Sequence, residues 1–179
     1  MLDSLDTLKT LLANQYEAAL CMLNACIVRC PDKLWNAPVA KWNFCQVAFH
    51  TLFFADYYLG EGGERGEDSF RKQPFHRDNA EVFRDYEEFQ DRDPLLLYHK
   101  PSVLRYLQNC RTKVRDVIAS STADVLGAPC GFAPKTFSRA ELHVYNIRHI
   151  HHHAAQLTLR LRLDTPVNSP WVGSGWREL

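Results

Sequence analysis

The residues with the clearest chemical potential lie between Ser138 and Leu163, in the run His149-Ile150-His151-His152-His153-Ala154-Ala155-Gln156. Read at 100° per residue this stretch is a long helix. His149 and His153 then stand one turn apart on one face, with Cβ atoms about 5–6 Å from each other. Two imidazoles at that spacing can close on one divalent ion, because a zinc-type ion takes nitrogen ligands at roughly 2.0–2.1 Å. Gln156, Tyr145, Asn146 and Arg160 project from the same side, which predicts polar surroundings. Arg160 also has a reason of its own to be there, since a cation suits the C-terminal end of a helix dipole. Eight histidines in one chain make an i, i+4 pair common by chance, so the spacing acquires meaning only if a third ligand joins it. The interruption by Ile150 and the periodic apolar flanks distinguish the run from an expression tag.

A third imidazole is available. Residues 44–59 form a strongly apolar predicted helix, with His50 in its middle. An unpaired polar ring in such a setting costs a few kcal/mol. His50 is therefore either hydrogen-bonded to Tyr57, Gln46 or a nearby backbone group, or it is a ligand. Three neutral imidazoles with a free fourth position are the ligand set of a catalytic rather than a structural zinc-type site. The paired Glu-x-x-His motifs of di-iron proteins and the H-E-x-x-H motif of metalloproteases are absent. His152, at the flank of the face, is the substitute for His153. His151 points away, and His76, His99 and His143 read as surface or helix-packing residues.

Four long helices must position these groups. Leu5, Leu8, Leu12, Tyr16, Leu20, Leu23 and Ile27 recur at steps of three and four, predicting a helix over about 2–28 that Pro31 stops. Asn43-Phe44-Cys45-Gln46 has the form of a capping box opening the helix over 44–59, which Gly60-Glu61-Gly62-Gly63 ends. A polar, turn-rich connection (61–77) and a short helix (79–90) follow, broken by Asp91-Arg92-Asp93-Pro94. Pro101 opens a third long helix (101–119), with Arg105, Lys113 and Arg115 facing out. Ser138-Arg139-Ala140-Glu141 is a second capping box that starts the fourth (139–163), and the tail 164–179 is irregular, with Trp171 and Trp176 lying on the body.

With no convincing strand, this pattern predicts a single all-α domain over 1–179, a four-helix bundle. The forty-residue link between the second and third helices can carry the chain back along the bundle, giving an up-down-down-up order. Equal numbers of acidic and basic residues, 21 of each, remove the electrostatic footprint of a nucleic-acid or membrane-surface binder. No leader and no apolar run that could cross a bilayer stand out, so the expected compartment is the cytoplasm. Cys21, Cys26, Cys30, Cys45, Cys110 and Cys130 include no C-x-x-C pair and read as small buried thiols.

Trp42-Asn43 before an apolar helix carrying His50, followed near the C-terminus by His149-x-x-x-His153-Ala154-Ala155-Gln156, resembles the DinB/YfiT-like family of four-helix-bundle proteins, from the first helix to about Leu163. The resemblance implies a divalent metal, zinc or nickel, held by His50, His149 and His153. It also implies thiol S-transferase or isomerase chemistry with a low-molecular-weight thiol, although many members have no established activity. Many members carry Gly where this chain has Ala155, a replacement small enough to leave the ligands alone. A metal-dependent transferase or hydrolase is the expected function, with a non-enzymatic metal or ligand binder, or a structural dimeric bundle, as alternatives. Gln156, Asn146, Tyr57, Tyr145 and Gln46 are the expected contacts behind the ligands or in the pocket wall. A small-molecule substrate and a second copy of the chain are the expected partners.

Overall fold

The computed structural model describes residues 4–86 and 94–178. These are mostly helical. Helix α1 (Ser4–Arg29) is followed by the short α2 (Asp32–Trp35) and by a two-residue antiparallel ribbon, β1 (Pro38–Val39) with β2 (Trp42–Asn43). Then come α3 (Phe44–Leu59), α4 (Gly63–Arg71), α5 (Pro74–Asp78), a 3-10 turn (Ala80–Tyr86), α6 (Lys100–Ser120), α7 (Ala123–Gly127) and α8 (Arg139–Asp164).

The four long helices form as their sequences dictate. In α1, Leu12, Tyr16, Leu20, Leu23 and Ile27 form a buried stripe, each large side chain contributing roughly 1.5–3 kcal/mol of burial. The first residue of α3 follows a cap in which the Asn43 amide donates to Gln46 Oε1 at 2.9 Å. At the head of α8, Ser138 Oγ accepts from the Glu141 amide at 3.2 Å. Both α1 and α3 pack against α8 and against α6. Helix α3, apolar nearly all round, is buried on most sides, as its composition requires. By length and composition α1 could cross a bilayer, contrary to the sequence expectation, but most of its apolar window is buried against the other helices.

Several further expectations are corrected. The connection after α3 contains two helices, α4 and α5, where a turn-rich loop was expected. The Gly62–Gly63 turn and Pro74 at the first turn of α5 provide their starts. The short helix over 79–90 is a 3-10 turn as far as Tyr86, and residues 87–93, with the expected break after 90, lie outside the described residues. A short ribbon exists because Ala40 adopts a left-handed φ of 58° and reverses the chain between the two strands. Lys113 does not face out. It reaches inward to the Asp56 carboxylate, because a carboxylate that is fully buried on α3 needs a counter-charge.

The tail is irregular and lies along α1: the Gly175 amide donates to Asn14 O at 3.0 Å, and Trp176 stacks under Arg111, whose Cζ is 3.7 Å from the ring centroid. Trp171 is exposed, against expectation, though its ring stacks near that of His151 with centroids 6.0 Å apart. All six cysteines are free and buried.

Candidate metal centre

Helix α3 presents His50 toward α8, and two contacts further along the same pair of helices fix their register. Asn146 Nδ2 donates to Ala55 O at 2.9 Å, and the Tyr58 and Tyr145 rings meet edge to face at 5.5 Å. In this register His50 stands opposite the first and second turns of the histidine run. Its ring centroid lies 5.5 Å from His149 and 5.0 Å from His153, and those two are 4.7 Å apart. One ring nitrogen from each of the three lies within 4.8 Å of the others. Tetrahedral ligation at about 2.1 Å separates nitrogens by about 3.4 Å, so small ring rotations suffice to enclose an ion.

The surroundings keep these rings neutral. Trp42 and Phe54 each lie 4.8 Å from the His50 ring, and Phe54 also packs against His149 at 6.0 Å. Burial, reinforced by His153, pushes His50 down to about 3. Burial and the three neighbouring imidazoles push His149 down to about 2, and burial lowers His153 as well, opposed by the hydrogen bond that His153 donates to Gln156. At neutral pH each ring therefore keeps a lone pair. Nδ1 of His50 and Nδ1 of His149 are buried without a hydrogen-bond partner, an unfavourable condition that ligation through those nitrogens would relieve.

His153 is held differently. Its Nδ1 lies 2.8 Å from Gln156 Oε1, and Gln156 Nε2 lies 3.1 Å from His152 Nε2. An amide oxygen can only accept, so Nδ1 of His153 carries the proton and Nε2 is free to ligate. His152 is thereby a support of His153 rather than its substitute. A pocket of about 500 Å³ opens onto the three imidazoles, lined also by Phe54, Tyr58, Tyr145, Pro134 and Lys135.

Of the other residues singled out from sequence, Tyr145 lines this pocket and Gln156 backs a histidine, but three sit elsewhere. Gln46 Nε2 donates to the carbonyls of Pro94 and Leu96, because its amide is occupied in capping α3 and fastening the end of the crossover. Tyr57 donates to Glu67 at 3.3 Å and lines a neighbouring pocket, one helical position away from Tyr58. Asn146 is fully buried in the α3–α8 contact. Arg160 pairs with Asp164 at 2.6 Å in the last turn of α8. Phe54, Tyr58, Pro134 and Lys135 were not legible as pocket residues. The aromatic pair looked like ordinary core, and nothing in the 127–137 loop sequence indicates which helix it covers.

Two histidines expected at the surface or in helix packing are fully enclosed. His143 meets the Tyr16 hydroxyl at 3.1 Å, and burial, with the charge of Arg139, lowers it to about 4. His76 Nε2 lies 2.7 Å from Asp56 Oδ2, which also accepts from the Tyr106 hydroxyl at 2.9 Å, while Lys113 bonds the other oxygen. Burial alone would raise Asp56, but the His76 hydrogen bond and the Lys113 charge outweigh it and hold the carboxyl below its usual value. His99 is exposed.

The fold and the site thus define a helical protein with a cluster of three neutral histidines in a cleft between two long helices. The profile of the DinB superfamily matches residues 15–157, and the chain belongs to that family. Comparison with curated proteins and with solved structures finds no match.

Proposed function

We propose that this DinB-superfamily chain binds one divalent ion, zinc or nickel, through His50, His149 and His153, and that it works as a metal-dependent enzyme of the thiol S-transferase or hydrolase type. The observation that carries this reading is the convergence of three neutral imidazoles, two with orphaned buried nitrogens, at the floor of an open 500 Å³ pocket. When bound, the ion supplies Lewis acidity, lowering the pKa of a water or thiol that enters its free position. The chain's own residues do the rest. Gln156 fixes the tautomer of His153, Trp42 and Phe54 exclude water from His50, and Tyr58 and Tyr145 wall the space a substrate would occupy.

The bundle that holds these ligands reads as up-down-down-up. Supporting this, Tyr16 meets His143 and Cys26 meets Thr158 between α1 and α8, whereas His50 meets His153 and Ala55 meets Asn146 between α3 and α8. Between α3 and α6, Leu52 meets Cys110 and Asp56 meets Lys113.

Metal analysis of the purified protein tests the assignment. One equivalent of ion is expected in the parent and in His151→Ala, with loss in His50→Ala and in His153→Ala. Equal metal in all four proteins would refute it. Turnover of a thiol with an electrophile, or of an ester, abolished by chelation and restored by zinc or nickel, is the expected sign of enzymatic activity.

A further inference from the structure

Lys135 stands at the wall of the histidine pocket in circumstances unusual for a lysine. Its backbone is fixed: the Lys135 amide donates to Phe132 O at 2.8 Å, and Lys135 O accepts from Cys130 Sγ at 3.7 Å. The loop that carries it is tied down by Arg139, which donates to Cys130 O at 3.2 Å and also to Gly60 O. The side chain is half-buried, with Nζ 4.9 Å from the Tyr58 ring centroid and 5.3 Å from that of Tyr145. Both tyrosines line the same pocket as the three histidines.

Among the described residues Lys135 has no carboxylate partner. Among the described residues the rest of the pocket wall contains no acidic side chain, only neutral imidazoles, phenols, Phe54 and Pro134. Glu67 lines the adjoining pocket, which Lys135 also borders, and there it accepts from Tyr57 rather than pairing with the lysine. Tyrosine faces hold the lysine stem and attract the ammonium, but they satisfy none of its three N–H donors. A divalent ion on three neutral ligands would add two further positive charges across the same space. Among the described residues no carboxylate pairs with Lys135 and none lines this pocket, so a ligand with an anionic end fits the cleft better than a neutral one of the same size. The volume, about 500 Å³, is that of a small-molecule site.

We propose that Lys135 is the specificity-determining residue of this pocket, and that it selects small ligands bearing a carboxylate opposite their metal-directed end. The proposal rests on the three-histidine reading above and adds the substrate class to it. Of the neighbouring described cations, Arg139 is engaged with the Cys130 and Gly60 carbonyls, and Arg148 lines not this pocket but the one beside it, which shares Tyr145 and His149.

The experiment uses the full chain loaded with cobalt(II), whose visible bands report ligands entering the open position, titrated with mercaptopropionate and with mercaptoethanol. The parent should bind the anionic thiol about tenfold more tightly, the effect of one charge-assisted contact. Lys135→Met, which keeps the stem and removes the charge, should bind both thiols alike, with unchanged cobalt content. Lys135→Arg should recover the preference. Equal affinities in the parent, or a preference that survives Lys135→Met, would overturn the role of Lys135 while leaving the metal site standing. Failure of the parent to take up cobalt would instead overturn the three-histidine reading, and the proposal with it.

Discussion

His153 Nδ1 and Gln156 Oε1 are 2.8 Å apart, and Gln156 reaches on to His152 with its other end. A single amide therefore sets which nitrogen of His153 faces the cleft. Gln156→Leu removes that constraint without touching an imidazole. Divalent-ion affinity is expected to fall about tenfold, within the range found when a hydrogen bond behind a metal-binding histidine is lost. Competition with a chromophoric chelator measures it, and unchanged affinity would remove Gln156 from the site.

The Asp56 cluster predicts a stability effect separate from metal binding. Asp56 is fully buried and bonded by His76 on α5 and by Tyr106 and Lys113 on α6. Taking away one side of a buried ion pair strands the other, so Lys113→Met should destabilise the protein by about 3–5 kcal/mol in urea unfolding. Lys72→Met, at an exposed pair with Asp68, should change stability by less than about 1 kcal/mol.

His143 predicts the direction of an acid transition. Its folded-state value, about 4, lies below the unfolded value near 6.5, so the stability contributed by the neutral buried ring is complete above about pH 6.5 and is lost as pH falls toward 4. The loss over that window is on the order of 3 kcal/mol. Urea unfolding of the metal-free parent and of His143→Gln, at pH 7 and at pH 4.5, should show a smaller pH dependence in the variant. Parallel profiles would show that His143 is not the group responsible.

Gly62 and Gly131 predict a steric effect on the pocket loop. A Cβ placed on Gly62 would lie 2.0 Å from Gly131 O, and Gly131 itself has a positive φ of 82°. Gly62→Ala must push apart the start of α4 and the loop that carries Phe132 and Lys135, destabilising the protein by about 1–3 kcal/mol. Amide hydrogen exchange should rise in 129–137 while α1 and α6 stay protected. Gly127→Ala, where the added carbon meets nothing within 4 Å, serves as the control.

Sequence by itself determined whatever depends on neighbours within a few residues. The α3 bounds follow from the Asn43–Gln46 cap and the glycines after Leu59. The placing of His149 and His153 one turn apart follows from helix geometry alone, and their rings are indeed side by side at 4.7 Å. Tertiary structure alone decided what depends on register between helices. Whether His50 joined that pair turned on how α3 slides along α8, which contacts such as Asn146–Ala55 set across ninety-one residues of chain. The inward turn of Lys113 followed from a carboxylate, Asp56, that no local pattern marks as its partner, and the same partner drew His76 into the core. Lys135 reached the pocket because Arg139 and the Gly62–Gly131 contact fold its loop over the α3–α8 cleft. Backbone periodicity encodes which residues share a face, but long-range packing encodes which faces meet, and the candidate site lies where two faces meet.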